Sequence, residues 1–283
     1  MTLSIVNPLN PTDPLVQVNS GASSGFSGTA LGKTGLINSG SISGPTVYMV
    51  GGFSALRNSG SITTVGASGT SSYLYNAAAV QLGTGGSVTL GNEASGVIDS
   101  NLRFGVLVNL ATSATVDNAG RISGGDDGIR LNQVAVVHNA GIIEGTGNWA
   151  RDFDITSNMK SAPPSDGITQ ALADPPPGTV PDTLILDLTN DAGGIIRGAR
   201  GGINTSHGSV NIVNAGTITG VGNFNGSFGI FAVSGDRFSL SNSGTISQTG
   251  TELPSGEFGG GSELRAGMRV AEYSRGSVQN SGT

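Results

Sequence analysis

Asp117 and His138 are the residues whose types and spacing come nearest to an acid/base pair. They occupy equivalent positions in the similar phrases "VDNAG" and "VHNAG", one repeat apart, so the carboxylate could orient the imidazole. A nucleophilic set would also need a serine, a cysteine or a second acid at matching positions, and none is evident. We therefore interpret Asp117 and His138 as a polar surface pair and keep a catalytic role as the alternative.

Asp126 and Asp127 in "GGDDGI", together with Asp166 in "SDGI", form a second group of acids. Paired carboxylates occur in calcium sites and in acid/base catalysis. Aspartate is also a frequent turn residue, and "GGDDG" alone does not match the tandem calcium nonapeptide pattern. The sequence favours the turn interpretation and predicts neither a metal site nor a cofactor.

Glu144 and Arg197 share one column of the repeat described below, three residues after its glycine. Their side chains could form an ion pair between successive copies, although a long insertion separates them in the chain. A surface pair of this kind contributes little to stability. We interpret it as a solvated pair and not as part of a catalytic site.

The single tryptophan lies in a segment that interrupts the repeats between residues 146 and 182. Loops on a rigid scaffold often provide binding specificity, and a tryptophan can stack on a sugar or a peptide. The candidate ligand-binding residues are Trp149, Arg151, Asp152, Phe153 and Asp154. The aromatic rings could equally pin the loop to the scaffold, and both interpretations stay open. A second, Gly-rich insertion at 251–265 is predicted to be a flexible loop.

The element that must position these residues is a short phrase, typified by "IVNAGTITG", that recurs along the chain. Its glycine recurs after 20 to 24 residues, apart from occasional insertions, which indicates a solenoid. In chain order the phrase glycines are Gly40, Gly60, Gly96, Gly120, Gly141, Gly194, Gly216, Gly244 and Gly282. We expect each of them to provide a positive-φ turn.

Two columns of the phrase hardly vary. Isoleucine follows the glycine by two residues at Ile42, Ile62, Ile98, Ile122, Ile143, Ile196, Ile218 and Ile246. Asparagine precedes the glycine by two residues at Asn38, Asn58, Asn118, Asn139, Asn214, Asn242 and Asn280. Fixed and variable positions alternate with period two, which is typical of strands with one buried face. Asparagine amides stacked in register could bond the coils above and below.

Each copy contains about three short strands separated by Gly-rich turns. A copy of this length is too short to include a connecting helix. The sequence therefore predicts an all-β parallel β-helix of about nine coils over residues 31–283, with loops inserted at 146–182 and 251–265. Residues 1–30 are predicted to form an N-terminal cap. The last copy stops at "QNSGT", which would leave a strand edge uncapped. We expect a longer protein, truncated here at its C-terminus, or a partner that covers this end.

The segments "TVDNAGRISGGDDGIRL" and "NIVNAGTITG" resemble the passenger repeats of bacterial autotransporters and related haemagglutinin-type adhesins. The resemblance implies a right-handed parallel β-helix that is extracellular or displayed on the bacterial surface. It also implies an adhesin or a structural display scaffold whose partner is a surface glycan or protein. Self-association through long flat outer faces is a further expectation.

Two other functions stay open. One is a polysaccharide lyase or hydrolase on a β-helix, for which Asp117, His138, Asp126, Asp127 and Glu144 are the acid/base residues to consider. The other is a trimeric phage or secreted fibre. With a net charge of −6 and only 13 Lys and Arg residues, a nucleic-acid partner is not expected. The chain has no cysteine and no run near the ~20 apolar residues of a membrane span.

Overall fold

The structure, a computed structural model, is built from short parallel strands stacked coil upon coil. It describes residues 16–24, 26–28, 33–44, 47–49, 53–64, 78–83, 86–101, 103–109, 111–131, 134–147, 165–171, 185–206, 208–221, 227–249 and 266–283. These residues contain strands, turns and bends and no helix. The predicted all-β parallel β-helix is confirmed. Among the described residues, accordingly, no helix has the length and apolar character that crossing a membrane requires.

The first face consists of the strands that end at the repeated asparagine. They are β1 (Val16–Asn19), β4 (Lys33–Asn38), β7 (Phe53–Asn58), β10 (Ser87–Asn92), β13 (Ser113–Asn118), β16 (Ala135–Asn139), β19 (Ile185–Asn190), β22 (Ser209–Asn214) and the second halves of β24 (Phe228–Asn242) and β26 (Ala266–Asn280). Each pairs in parallel with its counterpart in the next coil. Because Asn19 lies opposite Asn38, the stack of coils begins before residue 31.

The second face is a separate nine-stranded parallel sheet, with one strand from each coil. Its strands are β2 (Ala22–Ser23), β5 (Ser41–Ser43), β8 (Ser61–Thr64), β11 (Val97–Ser100), β14 (Arg121–Gly124), β17 (Ile142–Gly145), β20 (Ile195–Gly198), β23 (Thr217–Gly220) and β25 (Thr245–Gln248). The repeated isoleucines lie opposite one another in consecutive strands from Ile42 to Ile246.

The third face closes each coil. It contains β3 (Phe26–Gly28), β6 (Val47–Met49), β9 (Ala78–Leu82), β12 (Phe104–Val108), β15 (Ile129–Leu131), β18 (Asp166–Ala171), β21 (Gly201–Ser206) and the first halves of β24 and β26. Because β24 and β26 run from the third face into the first without a break, these two faces together form one seventeen-stranded sheet.

The core lies inside the coils as a single stack of aliphatic side chains. On most strands buried and partly exposed residues alternate, as in β13, because successive side chains point to opposite sides of a strand. Leucine, isoleucine and valine from the three faces meet in one buried cluster. A small second cluster, Ala78, Phe104 and Leu107, lies beside the third face.

The repeated asparagines form a hydrogen-bonded ladder along the first face. Each side-chain amide donates to the side-chain oxygen of the next asparagine at 2.6–2.8 Å, from Asn19 to Asn280. The same amide donates to the glycine carbonyl of its own coil at 3.1–3.4 Å. Both hydrogens of each amide thus have acceptors, so the side chain can be buried without leaving a donor unsatisfied.

The expectation that the phrase glycines supply positive-φ turns is wrong. Among the described residues the glycines with positive φ are Gly44, Gly83, Gly147 and Gly208, none of which is a phrase glycine. The phrase glycines are instead required by close contact between coils. A Cβ atom on Gly120 would lie 2.2 Å from the carbonyl oxygen of Gly96, which no side chain can tolerate.

Candidate functional site

Three buried acids lie at the corner between the second and third faces. Here the chain leaves β14, β17 or β20 at a glycine and turns into β15, β18 or β21. Successive coils place charged residues one above another in this turn. We call this group the corner cluster: Arg103, Asp126, Asp127, Arg130, Asp166 and Arg200. The three aspartates are all less than about a tenth exposed, so each needs a compensating partner.

Asp166 has the most partners in the corner cluster. Its Oδ1 accepts from Nε of Arg200 at 3.2 Å, and its Oδ2 accepts a short hydrogen bond from Nη2 of the same guanidinium. The Oδ2 atom also accepts from Nδ2 of Asn204 at 3.0 Å and from Oγ1 of Thr169 at 3.1 Å. Burial alone would lower the pKa of Arg200, but the charge and hydrogen bonds of Asp166 raise it overall. Arg200 therefore keeps its charge, and its hydrogen bonds to both carboxylate oxygens fix the geometry of the pair.

Asp127 is the acid with the weakest compensation. Its Oδ1 accepts the backbone N–H of Asp166 at 3.2 Å, and its Oδ2 lies 3.7 Å from Nε of Arg130. Burial, followed by the negative charges of Asp126 and Asp166, raises the pKa of Asp127 well above its usual range, although Arg130 opposes the rise. Of the acids at the corner, Asp127 has the environment closest to that of a proton donor.

Asp126 has a cation of its own. Its Oδ2 accepts from Nε of Arg103 at 3.1 Å, yet burial still raises the pKa of Asp126 overall. The guanidinium groups of Arg103 and Arg130 lie over the ring of Phe104, at 4.8 and 4.9 Å from its centroid. The ring therefore holds two arginines beside two acids.

Glu144 forms a separate charged group on the second face, held by two arginines from neighbouring coils. Arg121 donates to Oε1 through Nε at 2.7 Å, and its Nη2 lies 2.5 Å from the same oxygen. Arg197 contacts Oε2 in the same way, at 2.7 and 2.5 Å. Burial alone would raise the pKa of Glu144, but the hydrogen bonds and charges of Arg197 and Arg121 lower it overall. We call this group the Glu144 clamp.

His138 lies between two aspartates on the outer side of the first face. It is directly opposite Asp117 in the preceding coil, with 3.8 Å between Nδ1 and Oδ1. Its Nε2 lies 3.0 Å from Oδ2 of Asp191, within hydrogen-bonding distance. Burial raises the pKa of Asp117, while the charge interaction with His138 opposes the rise. The two side chains are partly buried, whereas an exposed pair was expected.

These three groups stay apart. Within the described part of the chain, no ion pair joins the corner cluster, the Glu144 clamp and the His138 group. The described residues also contain no cluster of three or more histidine, aspartate or glutamate side chains arranged to hold a metal ion. The sequence candidates are thus distributed over three faces and do not converge in one groove.

Several partners in these groups are absent from the sequence predictions. Arg103 and Arg200 share the column of Asp126 when "FG", "DGI" and "GGI" are aligned, so opposite charges in that column were an available signal, whereas Arg130 lies three residues after Asp127. The ladder members Asn92 and Asn190 precede their glycines by four residues instead of two. Their turns contain two additional residues, which also place Asp191 beside His138.

The proposed ligand-binding residues Trp149, Arg151, Asp152, Phe153 and Asp154 lie outside the described residues, as does the insertion at 251–265. The described parts of the 146–182 insertion are its first two residues and 165–171, which contains β18. The insertion therefore begins beside the corner cluster, and β18 within it contains Asp166 of that cluster. Comparison of the chain with protein-family models, with curated proteins and with solved structures gives no match.

Proposed function

We propose that this chain is a non-catalytic β-helical scaffold, secreted or displayed on a bacterial surface, that adheres to a glycan or protein through its loops and outer faces. The observation that supports this proposal is the pairing of its acidic residues: the carboxylates best placed for catalysis form ion pairs with arginines from neighbouring coils. The bacterial surface is suggested by the resemblance of the repeats to autotransporter passengers. Acids that are fully occupied stabilise a stack and have little capacity to transfer protons.

The Glu144 clamp illustrates this point. A general acid or base needs an oxygen that can reach the substrate, yet Arg121 occupies Oε1 of Glu144 and Arg197 occupies Oε2. The lowered pKa of Glu144 also keeps the carboxylate ionised and unsuited to donate a proton at neutral pH. The clamp joins three successive coils, since β14, β17 and β20 are neighbours in the sheet.

The rigid ladder supports the same conclusion. Parallel coils fixed by asparagine bonds form a stable platform, and the insertions leave that platform without interrupting it: Asn139 still bonds Asn190 at 2.8 Å across the 146–182 insertion. Loops on such a platform can vary while the scaffold is unchanged. The proposed contacts are therefore made by the 146–182 insertion, with Trp149 as its central aromatic residue.

A binding and degradation assay on one panel of polysaccharides tests this proposal. The full chain should retain at least one glycan on a printed array and should release no new reducing ends or unsaturated products from any of them. Trp149→Ala should weaken retention, whereas Tyr48→Ala, an aromatic change in β6 on the third face, should not. Release of oligosaccharides by the unmodified chain would contradict a non-catalytic scaffold. Equal glycan binding by both variants would exclude Trp149 of the 146–182 insertion as a binding residue.

One observation favours the alternative of a glycan-cleaving enzyme, namely the raised pKa of buried Asp127 beside Asp166, whose carboxylate oxygens accept hydrogen bonds from Arg200. Two acids in different environments are the usual requirement for glycoside cleavage. If this alternative holds, the panel gives cleavage that disappears in Asp127→Asn and persists in Asp187→Asn, a change on the outer side of the first face.

A further inference from the structure

A groove of about 550 Å³ lies on the outer side of the first face, across the last three described coils. Its floor and walls come from β22 and from the second halves of β24 and β26. The lining residues are Asn211, Arg237, Phe238, Ser239, Arg275, Gly276 and Ser277. The groove is separate from the corner cluster, the Glu144 clamp and the His138 group, and it contains no residue singled out by the sequence.

Two arginines dominate the groove. Arg237 lies directly opposite Arg275 in the parallel pairing of β24 and β26, so their backbones are about 4.8 Å apart. Both side chains are exposed. Like charges directly opposite one another on paired strands destabilise the sheet, and an anion placed between them removes that cost.

These arginines differ from most others in the described chain. Six described arginines lie within ion-pair distance of a carboxylate: Arg57, Arg103, Arg121, Arg130, Arg197 and Arg200. No described carboxylate lies within that distance of Arg237 or Arg275. The positive charge in the groove is therefore available to a ligand.

The other groove side chains are small and polar. The hydroxyl of Ser277 donates to that of Ser239 at 3.4 Å, and both lie in register with Asn211 on successive coils. The Asn211 amide donates to Asp187 at 2.9 Å, which leaves the Asn211 Oδ1 as an acceptor. Hydroxyl donors and amide acceptors beside a pair of guanidinium groups are suited to a sugar that bears an acidic substituent.

We propose that this groove binds an acidic polysaccharide, with one sulfate or carboxylate group held between the guanidinium groups of Arg237 and Arg275. Ser239, Ser277 and Asn211 then contact sugar hydroxyls. This proposal names a ligand class for the adhesive scaffold and rests on that proposed function, but it places the contact on an outer face and not in the loops. A guanidinium can present two parallel N–H groups to a sulfate or a carboxylate, which a lysine cannot do.

Binding of the full chain to immobilised dextran sulfate and polygalacturonate, with uncharged dextran as a blank, tests the proposal. At least one of the two acidic polymers should bind and dextran should not, and the better polymer identifies sulfate or carboxylate as the preferred group. Arg237→Gln and Arg275→Gln should each weaken binding about tenfold. Arg269→Gln is the matched control, since it removes the same charge from β26 on the third face, where Arg269 lies over Phe231.

Three results would overturn the proposal. The first is unchanged polymer binding by the Arg237→Gln/Arg275→Gln double variant. The second is a loss of binding in Arg269→Gln as large as that in the groove variants. The third is inhibition of polymer binding by inorganic sulfate at the same concentration of anionic groups as the polymer. The last result would indicate a simple anion site. None of these results bears on the degradation assay, so the groove proposal can be refuted while the proposal of a non-catalytic scaffold is retained. Conversely, cleavage of a polysaccharide would contradict the scaffold without changing the arginine dependence of binding.

Discussion

The side-chain amide of Asn92 donates a 2.8 Å hydrogen bond to the side-chain oxygen of Asn118 in the next coil. Asn92 is followed by an enlarged turn, whereas Asn118 is followed by the standard one, and the two side chains still meet. The ladder is therefore preserved even where the turn that follows it changes length. This register is what places the charged residues of neighbouring coils beside one another.

Asn118→Ala should be among the most destabilising polar substitutions in the chain. It removes the acceptor for Asn92 and the donors to Asn139 and to the carbonyl oxygens of Gly120 and Ile142. Because these groups are buried, we expect a loss of about 2–4 kcal/mol in the free energy of unfolding, measured by denaturant titration.

Asn19→Ala is the control for that substitution. Asn19 is only partly buried, and its side-chain oxygen receives no ladder bond from a described asparagine, so its loss should cost about 1 kcal/mol or less. Equal losses for Asn118→Ala and Asn19→Ala would mean that the ladder does not act through buried, mutually bonded amides.

Gly120→Ala should destabilise the stack by forcing neighbouring coils apart. The new methyl group would lie 2.2 Å from the Gly96 carbonyl oxygen and 2.4 Å from that of Glu93. Gly21 is the equivalent glycine of the first described coil, and a Cβ atom there meets nothing within 4 Å. Gly21→Ala should therefore be neutral or stabilising by about 0.4–1 kcal/mol. Thermal unfolding of both variants measures the difference, and a similar Tm for the two would refute the close-contact explanation.

Glu144→Gln should destabilise the protein by about 1–3 kcal/mol, because the variant leaves Arg121 and Arg197 adjacent without the carboxylate that neutralises them. Glu93→Gln is the matched control. It breaks the more exposed pair with Arg57 and should cost less than about 1 kcal/mol. Denaturant titration of both variants at neutral pH makes the comparison, and a larger loss for Glu93→Gln would contradict it.

The stabilisation by Glu144 should also depend on pH. Burial alone would raise its pKa, but the two arginines lower it below the ordinary value, so the ionised form is favoured in the folded state. Its contribution is therefore present above the pKa of an unfolded glutamate and is lost as the pH falls through the lowered folded value. The stability difference between the wild type and Glu144→Gln should shrink only in acid. A constant difference across that range would show that the charge is not responsible.

The contribution of Asp127 to stability should have the opposite pH dependence, and Asp127→Asn tests this. Burial and the charges of Asp126 and Asp166 raise the pKa of Asp127 in the folded protein. The contribution of Asp127 to folding stability is therefore fully present below its pKa in the unfolded chain and is lost as the pH rises through its pKa in the folded protein. The asparagine keeps an oxygen that can accept the N–H of Asp166. At neutral pH we expect a Tm about 2–4 °C higher than that of the wild type, with the difference disappearing in acid. A lower Tm at neutral pH would mean that Asp127 is held ionised by Arg130.

The periodic part of the fold follows from the sequence because side chains that lie in register must repeat in type. Isoleucine and asparagine recur at fixed offsets from glycine, and those offsets correspond to buried positions on two faces of each coil. The reason for the glycine did not follow in the same way. A turn with positive φ and a close contact between coils both favour glycine, and only the packing of Gly120 against Gly96 distinguishes the two.

The charged groups depended on the tertiary structure. Glu144 and Arg197 are 53 residues apart and yet lie in neighbouring coils, while Asp191 reaches His138 through a turn that is two residues longer than usual. Spacing along the chain predicted the first contact but neither its second arginine nor the burial of the acids. By itself the sequence determined which residue types are stacked, since that is a matter of period, although Asn92 and Asn190 joined the ladder only in the structure. Which charges neutralise one another was decided by the folded coils, because the lengths of turns and insertions set which neighbours come within a few ångströms.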